Sequence, residues 1–326
     1  MLTRRMFLLA LTAAAAGRDA VGFASEAYPN RTIKVIVPFP PGVPSEIIYR
    51  LLADRLSAKF GQPVIIENRP GGAGGTVGAA AVARAVPDGY TLLASAPSPL
   101  VTAAAIYKDI GYDPSRSFAP IALLFSSPQF LTVNSAVPAK SIQELIAYAK
   151  AKPGKLSIAS VGYGSQPHLL AELFKSTAGI DIVHVPYKGN AAAMTDLLAG
   201  QVQLLFDTAP DILPHADGGK LRILAVADQS RLPQLPDVPT TIESGLPNLT
   251  GEFWSGVLAP AGTPPSIINQ LNVAINEIMR SPEAQLRLNK IGGRAKLGSP
   301  QDFEAFIVAE TQRWSAIIEA AGVKMD

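Results

Sequence analysis

Ile33-Lys34-Val35-Ile36-Val37, followed by Pro38-Phe39-Pro40-Pro41-Gly42-Val43-Pro44 and then Ser45 to Phe60, is the stretch on which the fold turns. A short β-branched run stops at proline and a Pro/Gly loop follows. From Ser45 the apolar residues Ile47, Ile48, Leu51, Leu52 and Leu56 recur at helical spacing until Gly61 ends them. Strand, loop and helix recur downstream. Val64 to Glu67 reads as a strand, a glycine-rich loop enters an Ala-rich helix at about 76–86, and Tyr90 to Ser95 reads as the next strand. Such repetition predicts a parallel sheet covered by helices.

A second series starts at strand Phe130 to Val133. Ser141-Ile142-Gln143-Glu144 is a capping box for a helix to about 151. Leu156 to Ser160 is a strand, and Ser165 to Ala178 is a helix with Leu169, Leu170, Leu173 and Phe174 on one face. Strand 182–185, helix 190–199 capped by Asn190, strand 202–206 and strand 221–226 complete a second α/β domain. The remaining residues give a strand at 253–258 and helices beginning near Pro264, Pro282 and Pro300, each after a capping Thr263, Ser281 or Ser299. So short a set of strands cannot build its own sheet and is expected to return to the first. The expected architecture is therefore α/β and two-lobed. Lobe I is 26–126 with 251–326, lobe II is 127–250, and a hinge with a cleft lies between them.

Of 326 residues, 27 are Gly and 28 Pro, below the roughly 25–30% of low-complexity chains. Cys is absent, which excludes disulfide scaffolds, Cys-ligated zinc and thiol nucleophiles. Residues 1–25 have the parts of an export signal. Arg4-Arg5 is the charged start, Met6 to Ala16 is the apolar run, and small residues precede cleavage near Ala24 or Ala27. The run is well short of the about 20 residues a bilayer span needs. Thr3-Arg4-Arg5-Met6-Phe7-Leu8 resembles a twin-arginine motif, and a general secretory signal with two arginines reads the same. Arg4, Arg5 and Arg18 against Asp19 supply the whole net charge of +2, so the mature chain is electrically balanced, which argues against nucleic acid as a partner. The expected destination is the periplasm.

Gly71-Gly72-Ala73-Gly74-Gly75-Thr76-Val77-Gly78 fails the dinucleotide spacing at Val77 and lacks a Gly-Lys-Ser/Thr, so it reads as a turn for close packing. In Gly162-Tyr163-Gly164-Ser165-Gln166 the serine follows both glycines, unlike a nucleophile elbow. His168, His184 and His215 are too far apart for a local two-His metal pair, and His168 and His184 read as structural. No catalytic residue, metal or cofactor is expected. What remains is two loops of one type, Pro38 to Gly42 and Gly162 to Ser165, each before a helix. Exposed N–H groups and the positive helix end make an anion seat in each, and Phe39 supplies an apolar wall. Ordinary βα turns are the competing explanation.

Six blocks in order resemble one family: Val37-Pro38-Phe39-Pro40-Pro41-Gly42, Glu67-Asn68-Arg69-Pro70-Gly71, Pro87-Asp88-Gly89-Tyr90-Thr91-Leu92-Leu93, Val185-Pro186-Tyr187-Lys188-Gly189, Asp196-Leu197-Leu198-Ala199-Gly200 and Ala259-Pro260-Ala261-Gly262-Thr263-Pro264. The sequence is similar to the periplasmic substrate-binding proteins of tripartite tricarboxylate transporters, the Bug (Bordetella uptake gene) type. The resemblance implies a class II periplasmic-binding-protein fold. It further implies a monomer that closes on a small carboxylated solute and delivers it to membrane subunits of the transporter. It places ligand contacts at Phe39, Pro41, Gly42, Val43 and Ser95 in lobe I, and at Gly162, Gly164, Ser165, Tyr187, Lys188, Gly189 and Asp207 in lobe II. The family's first loop usually has a second glycine and an Asp where Val43 and Glu46 stand, and the stretch Ser95 to Tyr107 is more apolar than usual. A sensor docking to a receptor kinase, or an enzyme acting on a small organic acid, are the competing functions.

Overall fold

The computed structural model describes residues 28–72 and 74–323; the expected export signal and its cleavage points at Ala24 and Ala27 lie outside them. The opening segment folds as read. β1 (Ile33–Val37), α1 (Glu46–Phe60), β2 (Val64–Asn68), α2 (Thr76–Ala83) and β3 (Thr91–Ser95) follow in turn, and the three strands pair in parallel with β1 between β2 and β3. α1 buries Ile48, Leu51, Leu52 and Leu56 on the sheet and ends at Gly61, whose left-handed φ of 66° only glycine adopts without strain. A π-helical turn (Ser98–Thr102) runs into α3 (Ala103–Ile106), and β4 (Phe118–Pro128) follows.

The chain then enters a second sheet through β5 (Phe130–Asn134), α4 (Ile142–Ala151), β6 (Ser157–Ser160), α5 (Gln166–Ala178), β7 (Val183–Pro186), α6 (Asn190–Leu198), β8 (Leu204–Asp207), α7 (Ala209–Asp217) and β9 (Leu221–Val226). It returns as β10 (Glu252–Pro260), α8 (Pro265–Arg280), α9 (Pro282–Lys290), β11 (Arg294–Ala295) and α10 (Pro300–Ala320). Among the described residues the strand orders are β11-β4-β10-β3-β1-β2 and β7-β6-β8-β5-β9. β10 lies antiparallel between β3 and β4, so the returning strand completes the middle of the first sheet. Both passages meet at Gln129. Its N–H donates to Gly251 O (3.2 Å), its carbonyl accepts from Ala227 N (2.8 Å), and Gly251 N donates to Ala227 O (2.9 Å).

Several local expectations change. β4 was not expected, because Pro120 and Pro128 punctuate it. Pro120 is tolerated since β11 covers β4 only at Phe125 and Ser126, leaving an open edge where no N–H is needed. α7 was also not expected, since it carries Pro210 and Pro214. Asn190 is the first helical residue of α6 and Gly189 takes the cap position. Thr263 spends its hydroxyl on Pro260 O (2.8 Å), and α8 starts at Pro265. Ser281 and Ser299 do cap, Ser299 through a full capping box with Asp302. Ser141 accepts from Glu144 N (3.2 Å), while the Glu144 carboxylate takes Lys140 N (2.7 Å) and not the cap's own N–H. No helix among the described residues is long and apolar enough to cross a membrane.

Candidate functional site

The parallel pairings of β6 with β7 (Ser160 with Pro186) and with β8 (Ala159 with Leu205) align the carboxyl ends of the three strands. α5, α6 and α7 begin just beyond those ends, so their positive termini gather at one edge of the sheet, where open α/β sheets receive ligands. The loop before α5 is a tight turn. Gly162 (φ 117°) and Gly164 (φ 73°) hold conformations that side chains resist. Gly162 O accepts from Ser165 N (3.3 Å) and Ser165 Oγ (2.7 Å). Ser165 therefore stands at the cap position while its hydroxyl turns back into the loop.

The two candidate loops share a feature that the sequence did not disclose. Gly42 N donates to Glu46 Oε2 (2.6 Å), and Gly164 N donates to His168 Nδ1 (3.0 Å). In each, a glycine N–H is taken by the side chain four residues on, in the first turn of the following helix. The expectation of exposed N–H groups needs correction at these positions, and also at Gly162, whose N–H goes to Ser160 Oγ (3.2 Å). The two acceptors differ in charge. Glu46 is buried and also paired with exposed Arg50. The Gly42 N–H, against the opposing effect of burial, and then Arg50 hold its carboxyl below the ordinary range. His168 is neutral, since burial and then Lys175 push its imidazole down to about 4.

At the same edge of the second sheet, buried polar atoms lack partners among the described residues: Gln166 Nε2 and Oε1, Asn190 Oδ1 and Asp207 Oδ2. Ser126 Oγ, Gln129 Oε1 and Thr132 Oγ1 are in the same condition near the chain crossing. Leaving such a group unsatisfied costs about 1–3 kcal/mol. Asp207 ends β8 and accepts from Thr208 N (2.8 Å). Burial, then neighbouring Asp211, pushes its carboxyl up to about 7. Its proton is therefore retained to much higher pH than that of an ordinary carboxyl, against the opposing hydrogen bonds from Thr208 N and the Asn190 side chain.

Tyr187 is half-buried, its hydroxyl donating to Asp196 Oδ2 (2.7 Å), and Lys188 beside it is exposed before Gly189. In the first sheet Ser95 is fully buried; its carbonyl accepts from Ser255 Oγ (3.0 Å) and its own hydroxyl lies 3.4 Å from Ala96 O. Phe39 is half-buried, Val43 is half-buried, and Pro41 and Gly42 are exposed. The glycine-rich loop serves packing: a Cβ on Gly75 would sit 2.9 Å from Pro38 O and 3.3 Å from Phe39, and one on Gly74 would sit 1.8 Å from Ser98 Oγ. From Ser98 the contacts continue. Thr102 Oγ1 donates to Gly164 O (2.9 Å), and a Cβ on Gly164 would lie 2.4 Å from Ile106 Cδ1. A run of touching residues thus joins the Phe39 loop on one sheet to the Gly164 loop on the other.

His168 and His184, unpaired in sequence, are stacked with ring centroids 4.1 Å apart, and Tyr163 sets its edge against both at 5.4 and 5.3 Å. With Glu172 they bring potential ligand atoms within 4.8 Å of one another. The hydrogen bonds speak against a metal there. His168 Nδ1 accepts from Gly164 N, so the neutral ring carries its proton on Nε2, the atom 4.0 Å from Glu172 Oε1, and neither nitrogen has a free lone pair. His184 Nε2 is engaged with Ser160 Oγ at 2.7 Å.

The sequence matches a family model described as the tripartite tricarboxylate transporter family receptor over residues 48–323. Protein BugT of Bordetella pertussis is 37% identical over 325 residues, covering 99% of each chain. The chain belongs to this receptor family. As a tripartite tricarboxylate transporter receptor it is a solute-binding protein and not an enzyme. Its two sheets form the periplasmic-binding-protein fold, as likeness to solved members shows. The R. palustris protein Rpa4515 with adipate gives a TM-score of 0.82 at 36% identity, covering 91% of this chain and 100% of that one. The periplasmic binding protein BugD gives 0.79 at 35%, with the same coverage. MatC from Rhodopseudomonas palustris with bound malate gives 0.78 at 32%, covering 89% and 100%.

Sequence reasoning did not single out the partnerless polar atoms of Gln166 and Asn190, naming these residues only at a helix start and as a cap. The available signal was position: each is the first residue of a helix that leaves the carboxyl edge of a parallel strand.

Proposed function

We propose that this receptor works in the periplasm, exported by its N-terminal signal, where it closes on a small carboxylated solute and delivers it to the membrane subunits of a tripartite tricarboxylate-type transporter. Of the described residues, those within 26–126 and 251–326 make one lobe and those within 127–250 the other, with the backbone junction of Gln129, Ala227 and Gly251 as the hinge. The observation that carries this is the group of unpartnered buried polar atoms on Gln166, Asn190 and Asp207, set where three helix N-termini converge. The positive helix ends suit a carboxylate. The Gln166 amide and a protonated Asp207 supply donors to it, and the Gly162 to Ser165 and Tyr187 to Gly189 turns frame it. In the first lobe the carboxylate of Glu46 already occupies the Gly42 N–H, so that side meets the body of the solute through Phe39 and Val43 and not a second acid group at Gly42. Adipate and malate, found with the relatives, are the first solutes to try.

Thermal denaturation of the mature protein against a panel of mono-, di- and tricarboxylates tests this. A ligand at 100 times its Kd adds about 2.7 kcal/mol. Because the Gln166 side chain makes no hydrogen bond among the described residues, Gln166→Leu is expected to weaken the response tenfold or more while leaving the unliganded melting temperature unchanged or raised. Absence of a response across the panel overturns the assignment.

A further inference from the structure

We infer that His168 and His184 form an acid-released catch between the two sheets, in which protonation of the stacked pair frees the Gly164 loop from Thr102. The catch is built from few atoms. Gly164 is held on both sides of its peptide unit: its N–H is bound by His168 Nδ1 (3.0 Å) and its carbonyl by Thr102 Oγ1 (2.9 Å), on the segment that follows β3 of the other sheet. A second proton on His168 can go only to Nδ1, since Nε2 already carries one. That turns the acceptor of the Gly164 N–H into a donor and sets two donors face to face. His184, stacked 4.1 Å away, meets the same difficulty, because a charge on either ring opposes a charge on the other.

The groups around the pair offset this little. Among the described residues, Glu172 on α5 is an acid facing the pair; it lies 4.0 Å from His168 Nε2 and is itself paired with Lys175 at 2.8 and 2.9 Å. Lys175 opposes a positive imidazole. From the loop, Tyr163 covers both rings; from β6, Ser160 bonds His184 Nε2 (2.7 Å). The first-sheet side presents Thr102 and Ile106 at Gly164, neither of which titrates. Burial, and then Lys175, pushes His168 down to about 4. Burial, then His168 and Lys175 against the opposing pull of Glu172, pushes His184 to about 4. An imidazole released to water titrates near 6.5. The closed catch is therefore fully favoured above about pH 6.5. Between that and about pH 4, opening gains up to tenfold per pH unit for each ring that takes up a proton. The inference concerns the contact itself and does not depend on which solute is bound.

Amide exchange at Gly164 in the unliganded full mature chain, corrected for its intrinsic pH dependence, reads the catch. Wild-type protection is expected to fall at least tenfold from pH 6.5 to 4.5. In His168→Asn, where Oδ1 replaces Nδ1 as an acceptor that cannot charge, protection should change less than threefold. Glu172→Gln should lose protection at least as steeply as wild type. Should the Asn variant fold poorly, the Cε1 protons of both histidines in the unmodified protein give a second measurement, with midpoints well below 6.5 expected. Constant wild-type protection, an equal loss in His168→Asn, or both imidazoles titrating near 6.5 in the folded protein overturns the inference.

Discussion

Gly42 with Glu46 and Gly164 with His168 show how a helix can close its own entrance. In each pair an i+4 side chain from the first helical turn reaches back to a loop N–H. The spacing was present in the sequence, but helix-start reasoning treats the first N–H groups as open because it looks for caps before the helix and not inside it. Asp207 gives the sharpest test at this scale. Its carboxyl stands at about 7 in the fold against an ordinary 3.8. Folding therefore retains a proton that the unfolded chain gives up. The associated stability is complete below about pH 4 and is lost as pH rises to about 7. Asp207→Asn, which keeps an acceptor for Thr208 N, is expected to match wild type in urea denaturation near pH 4. At pH 7.5 it should exceed wild type by about 1–3 kcal/mol. A constant difference across that range would show that the carboxyl is ionised in the fold.

Among the elements, those with a clean period were legible and those interrupted by proline were not. α1, α5 and α10 declare themselves by apolar spacing and a stop or cap. β4 hides behind Pro120 and Pro128, whose cost depends on an edge that only the assembled sheet reveals. The histidine stack was invisible for a related reason: the two residues come from a helix and a neighbouring strand, and no local spacing encodes a contact made by packing. The turn before α5 is where element geometry bears most weight. Gly164→Ala places a methyl 2.4 Å from Ile106 Cδ1 at a φ of 73°. It should cost about 2–3 kcal/mol, roughly 1 of it from the backbone alone. Ile106→Val removes that Cδ1. The double variant should be less destabilised than the sum of the singles by about 1 kcal/mol, measurable as a double-mutant cycle in urea. Strict additivity would mean the two residues do not touch.

For the whole molecule, the sheet orders could not be read in advance, since they depend on β10 pairing with strands more than 120 residues earlier. The connection from β9 to β10 is tied to the first sheet by Arg294, which donates to Asp228 Oδ2 at 2.5 Å. Asp228 is buried and Arg294 is more than a third exposed, so water screens the pair from one side. Arg294→Met, which keeps the stem and strands the acid, is expected to cost about 1–2 kcal/mol, read as a lower urea midpoint with an unchanged slope. No loss would place the Asp228 carboxylate in contact with solvent.

The central place of β10 also sets the order in which a growing chain can become native. Once synthesis has passed residue 226 and before it reaches residue 260, the second sheet has its strands β5 to β9, whereas the first is split along the line between β3 and β4, each presenting an unpaired edge. Such edges invite pairing with other chains. The nascent protein thus passes through a stage with one finished half and one that is open to aggregation, and a chain ended at Gly251 would remain there.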